Sequence, residues 1–132
     1  MKTMNKYARE LILGIVLALL SIFFILMFPK QKMLELLSIL LAVIASIYVG
    51  FALSDGRKRE ILIEISGMFF FLVLAIFGLW VSPYFLISGY LFHGVWDVIH
   101  NHKIIQTEVV EWYRILCLVY DWVIAIFIFL WL

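Results

Sequence analysis

The segment HGVWDVIH concentrates the residues with the most chemistry in this chain. His93, Asp97 and His100 are separated by four and three positions. At about 100° per residue they therefore share one narrow stripe of a helix. Two imidazoles and a carboxylate suit a divalent transition metal such as zinc, iron or manganese. His102 falls about half a turn off the stripe and reads as a loop residue. Arg114, Cys117 and Asp121 repeat the spacing as three then four, which makes a second polar stripe. Glu64 is a further ionisable residue in an otherwise apolar stretch. The embedded DxxH resembles half of a di-iron carboxylate motif, so a mononuclear site fits better than a dinuclear one.

A metal in such a site lowers the pKa of a bound water to about 7 and supplies a hydroxide nucleophile. The expectation is that His93, Asp97 and His100 hold the metal, with Glu64 and Asp121 as catalytic groups, each a further ligand or a general base. Arg114, together with Arg57 to Arg59, faces an anionic headgroup. Trp96 adjoins Asp97 and contacts substrate. A lipid or other apolar molecule is the natural substrate, and a hydrolase and an oxidase would use similar ligands. Two other readings stay open. Chains of Asp, Glu and His in membrane helices also serve as proton or ion relays in small transporters. The same residues can simply hydrogen-bond between helices in a structural or interaction protein, with Arg114 paired to Asp121. Cys117 reads as a small core residue. Haem ligation fits poorly because both stripe histidines lie on one helix, and no GxSxG elbow is present.

These residues lie in a chain that water cannot solvate as a folded domain. It is 67% hydrophobic and 14% charged, with a mean hydropathy of +1.15. Soluble domains are about 45–50% apolar and about 25% charged. A bilayer core needs roughly 20 apolar residues per helical crossing. Five segments meet that need, at about residues 7–28, 33–54, 61–80, 84–100 and 112–132, and together form a single transmembrane domain over residues 1–132. Open strands are excluded in lipid and barrel-type alternation is absent, so the fold class is all-α, a bundle of five transmembrane helices. The stretch from Leu11 to Phe28 is too long for a signal core and reads as a retained helix. Antiparallel pairing brings Glu64 near His100, and Asp121 near the depth of His93 or Tyr90. Gly67, Gly89 and Gly94 allow close helix approach around the site. The first two helices read as scaffold.

Basic residues cluster on one side: Lys2, Lys6, Arg9, Arg57, Lys58, Arg59, Lys103 and Arg114, against Lys30 and Lys32 on the other. The positive-inside rule then places the N-terminus in the cytoplasm and the C-terminus outside, with the site opening toward the cytoplasmic leaflet of the plasma membrane. A net charge of +1 without a basic run offers nothing to nucleic acid. The expected partners are membrane lipids, and a transporter of this size would need to form a homo-oligomer.

At GYLFHGVWDVIHNH and again at WYRILCLVYDW the chain resembles small uncharacterised prokaryotic multi-pass membrane proteins. Those proteins carry an HGxWDxxHH-like segment and a last helix bearing Cys and Asp. Asn101 stands where such proteins often have a second histidine, with His102 one position later. The resemblance implies a polytopic helical fold and a shared polar site.

Overall fold

The computed structural model describes residues 2–131, with side chains from residue 7 onward. The side chains of Lys2 and Lys6, and the whole of Leu132, lie outside the described residues. Five helices follow in chain order: α1 Lys2–Ile25, α2 Lys30–Asp55, α3 Lys58–Trp80, α4 Pro83–Asn101 and α5 Glu111–Trp131. Local chemistry sets their ends. α1 stops at Ile25, short of Phe28, because Met27 and Phe28 bond to carbonyls three residues back in a tightening turn before Pro29. Gly56, at φ 84°, closes α2 by donating to the Ala52 carbonyl. Pro83 opens α4 where its missing N–H costs nothing, and the Ser82 hydroxyl caps it by accepting from the Tyr84 amide.

α4 occupies the middle of the bundle, packed against α3 and α5 and more lightly against α2. α1 lies on α5, and α2 on α3. Gly14 abuts Leu116 and Val119, and the Tyr120 hydroxyl donates to Ser21 at 2.8 Å, so α1 and α5 run parallel. The start of α1, the α2–α3 turn and the α4–α5 connection therefore share one end. Arg57 binds the Gln106 carbonyl there, and the Glu108 amide donates to Asp55 at 3.3 Å. The Arg57 guanidinium donates to the Asp55 carboxylate, which holds it above its ordinary pKa.

The molecule is apolar outside and polar inside. Leu20, Phe23, Met27, Phe69, Phe129 and Leu130 are exposed, whereas Glu64, His93, Asp97, His100 and Asp121 are buried. Water-soluble proteins show the reverse pattern, and lipid accounts for this one. Among the described residues, four helices are long and apolar enough to cross a membrane: α1 from Tyr7, α2, α3 and α5. The architecture is thus an all-α, multi-pass membrane bundle, consistent with the plasma membrane. α4 differs from the sequence expectation of five apolar crossings. Its 19 residues would reach about 28 Å, but its buried polar stripe lowers its hydropathy. That stripe turns inward, where apolar character is not required. Small residues let the neighbours close on it: a Cβ at Gly67 would lie 2.6 Å from the Trp96 ring, and one at Gly94 would collide with the Trp122 indole.

Candidate metal centre

His93, Asp97 and His100 share a stripe but do not meet at one point. Seven residues of helix separate the two histidines by about 10 Å along the axis, and both ring nitrogens of His100 are held by the Trp96 carbonyl and Glu64 rather than turned to His93. The six polar residues expected in a single site fall into two clusters and one separate buried contact, that of Arg114.

The first cluster lies between α4 and α5. His93 Nδ1 is 2.6 Å from Asp121 Oδ2 and 3.8 Å from Asp97 Oδ2. The Cys117 thiol donates to Asp121 Oδ2 at 3.6 Å. One donor atom from each of His93, Asp97, Cys117 and Asp121 lies within 4.8 Å of the others, and all four residues are buried. The exposures of His93, Asp97 and Asp121 are 0%, 1% and 0%. The i, i+4 spacings of His93 with Asp97 and of Cys117 with Asp121 put each pair on one face, and the α4–α5 hairpin turns the two faces together. Cys117, read from the sequence as core packing, therefore belongs to the polar cluster.

The second cluster lies between α3, α4 and the α4–α5 connection. His100 Nδ1 sits 2.7 Å from the Trp96 carbonyl, which can only accept, so that nitrogen carries a hydrogen. His100 Nε2 lies 2.6 Å from Glu64 Oε2. Glu64 also accepts from the Trp96 indole at 3.1 Å and from the Thr107 hydroxyl at 2.6 Å. The two oxygens of Glu64 thus gather the Trp96 indole, the Thr107 hydroxyl and His100 Nε2. Both ring nitrogens of His100 are thus engaged, and neither faces the first cluster.

Tyr48 on α2 joins the two clusters. Its hydroxyl donates to Asp97 Oδ1, and its ring stacks on His100 with centroids 4.1 Å apart. α2 is thus more than scaffold. Tyr48 continues the buried stripe of Leu37, Leu41, Ile44 and Ala52, and it is a polar-tipped residue in an apolar helix. Thr107 could have been found from alternation. Ile105, Thr107 and Val109 are buried while their neighbours are exposed, the period of an extended segment lying against a surface. Arg114 does not form the expected ion pair with Asp121. It lies seven residues from it and donates instead to the Val109 carbonyl at 2.9 Å, tying down the connection. Trp96 is half-buried, with Glu64 on its indole nitrogen and the Phe71 ring 5.9 Å away.

Charge separates the clusters chemically. Glu64 and His100 cancel each other. His93 has no such match for the two carboxylates of Asp97 and Asp121, and buried like charges need a counter-charge. Among the described residues, His93 Nε2, Asp97 Oδ2 and Asp121 Oδ1 are buried without a hydrogen-bond partner. A donor set of imidazole, two carboxyl groups and a thiol, carrying unused lone pairs, fits a divalent transition metal. The cluster is capable of coordinating such an ion.

No curated protein and no solved structure matches the chain. A family model matches residues 9–131, a stretch that takes in both clusters and nearly all of the five helices. The chain therefore belongs to that family, which is described as a family of unknown function (DUF6010).

Proposed function

We propose that this protein holds a divalent transition metal inside the bilayer and uses it as a metal-dependent enzyme on a lipid or other apolar substrate. The observation that carries the reading is the unbalanced first cluster: two buried carboxylates, one imidazole and three ligand atoms without partners among the described residues. His93, Asp97 and Asp121 supply the ligands, with Cys117 as a fourth donor that favours zinc or iron over manganese. A metal there would act as a Lewis acid or activate a bound water. Asp121, expected from the sequence to be catalytic, serves in this reading as a ligand. His100, expected to be a ligand, serves with Glu64 as outer support. The Tyr48 hydroxyl holds one oxygen of Asp97 and leaves the other free, as hydrogen bonds to ligating carboxylates commonly do.

In this reading α4 also crosses the membrane, because the α3–α4 hairpin and the α4–α5 connection leave at its opposite ends. Five crossings put the basic end of the bundle in the cytoplasm. A relay is less well supported, because between His100 and Asp97 the link is the stacked Tyr48 ring rather than a hydrogen bond.

Elemental analysis of the detergent-purified chain, prepared without chelator, tests the reading. About one equivalent of zinc or iron is expected, lost in His93→Ala and Asp97→Ala. A content below about a tenth of an equivalent, with no uptake on reconstitution, overturns it. The catalytic part is tested by comparing the lipids of cells expressing the protein and Asp97→Ala. Identical lipid profiles alongside a metal that is lost in the variant would leave a metal-binding protein without this chemistry.

A further inference from the structure

A separate polar feature lies at the basic end of the bundle, away from both clusters. Glu10 on α1 is only 8% exposed. Among the described residues its ion-pair partner is Arg9, at 3.8 Å from Oε1, and that side chain is 79% exposed. Glu10 Oε2 is buried with no hydrogen-bond partner among the described residues. Among the described residues, this carboxylate near the start of a membrane helix has one exposed cation, at that distance, to balance it.

The residue lines a crevice of about 230 Å³ between the second and third turns of α1 and the first turn of α5, together with Tyr7, Arg9, Glu111 and Trp112. Arg9, Glu10 and Trp112 also line an adjoining crevice of about 230 Å³ that runs inward to Leu13 and Leu116. The buried Glu10 carboxylate in a crevice lined by Tyr and Trp is a setting for an organic ammonium, which a carboxylate pairs and an aromatic face attracts. An exposed arginine and the first-turn amides of α5 at the rim suit a phosphate. The inner crevice, lined by Leu13 and Leu116, continues along the apolar surface where an acyl chain would run.

We infer that the crevice between the starts of α1 and α5 binds an aminophospholipid headgroup, with the ammonium at Glu10, the phosphate at Arg9 and the acyl chain toward Leu13. The ligand chemistry is that of phosphoethanolamine, and the inner apolar wall assigns it to a lipid. The site does not depend on the metal centre.

Native mass spectrometry of the full chain in detergent tests it, with short-chain phosphatidylethanolamine, short-chain phosphatidylglycerol and free phosphoethanolamine as probes. The ethanolamine lipid should bind about tenfold more tightly than the glycerol lipid, reflecting one charge-assisted hydrogen bond. Glu10→Gln should abolish that preference with metal content unchanged, and Arg9→Gln should weaken both lipids. Equal affinity for the two lipids, or a preference that survives Glu10→Gln, overturns the assignment. So does free phosphoethanolamine binding as tightly as the lipid, which would point to a soluble ligand. Should Glu10→Gln not fold, the preference of the unmodified chain decides alone.

Discussion

Replacing Asp121 by asparagine separates a metal centre from an interhelical hydrogen bond, because the two predict opposite effects once metal is removed. The substitution keeps the side-chain shape and deletes one charge. Donor atoms of Asp97 and Asp121 lie within 4.8 Å of each other. Two unit charges at that limit repel by about 3.5 kcal/mol at an effective dielectric constant of about 20. Against this stands the bond between His93 and Asp121, where hydrogen bonds to charged groups contribute about 1.5–3 kcal/mol. At a pH where both carboxylates are ionised, the metal-free Asp121→Asn variant should therefore be more stable than the parent by about 0.5–2 kcal/mol, and where they hold a proton the gain disappears. With metal at a hundredfold excess over Kd the parent gains about 2.7 kcal/mol, and the variant, lacking one ligand, loses most of that gain. Thermal unfolding in detergent, run with chelator and then with added zinc, should show the order of the two melting temperatures reverse. A variant that melts below the parent by the same amount under both conditions would refute the charge accounting and leave a plain structural bond.

Three further substitutions probe the surroundings. Tyr48→Phe keeps the ring on His100 but removes the hydroxyl from Asp97. Metal affinity should fall about 10–100-fold by competition with a chromogenic chelator, and the melting temperature in chelator should change little. His100→Gln removes the imidazole bonded to Glu64 and leaves a buried carboxyl group short of a partner, which should destabilise the bundle by about 1–3 kcal/mol, while elemental analysis still finds the metal. Gly94→Ala drives a methyl into the Trp122 indole and should cost about 1–3 kcal/mol in a denaturant titration, with loss of the Trp122 bond to the Leu91 carbonyl.

Much of the architecture was legible because lipid makes hydropathy a direct readout of helices and polar punctuation a readout of their ends. The nearness of Glu64 to His100, and of Asp121 to the depth of His93 or Tyr90, followed from rise per residue and antiparallel neighbours, and the bond of Asp121 to His93 is one of those two alternatives. The division of the stripe was harder to read. Angular spacing places His93 and His100 on one face, but axial rise decides whether they share an ion, and only the positions of α3 and α5 show which partner each one meets. Tyr48 was hidden because a tyrosine in an apolar helix has no unusual spacing to betray it, and its role appears only when α2 is laid on α4. Cys117 was hidden for a related reason. A lone cysteine has no pattern, and its position beside Asp121 acquires meaning only once His93 faces it across the helix pair.

The placement of the two clusters on α4 follows from how each is neutralised. Glu64 and His100 carry their own compensation, accept or donate to Trp96 and Thr107, and sit where the α4–α5 connection can reach them. The cluster at His93 lies about two turns deeper, where neither the connection nor water can supply a counter-charge. A buried pair of carboxylates there is sustainable only with protons or a cation, and the partnerless Nε2 of His93 favours the cation, since protonating the carboxylates would leave that nitrogen unused. Tyr48 then has a defined task between them. By donating to Asp97 while stacked on a His100 fixed at both ring nitrogens, it transmits the rigidity of the self-neutralised pair to the cluster that depends on a ligand for its balance.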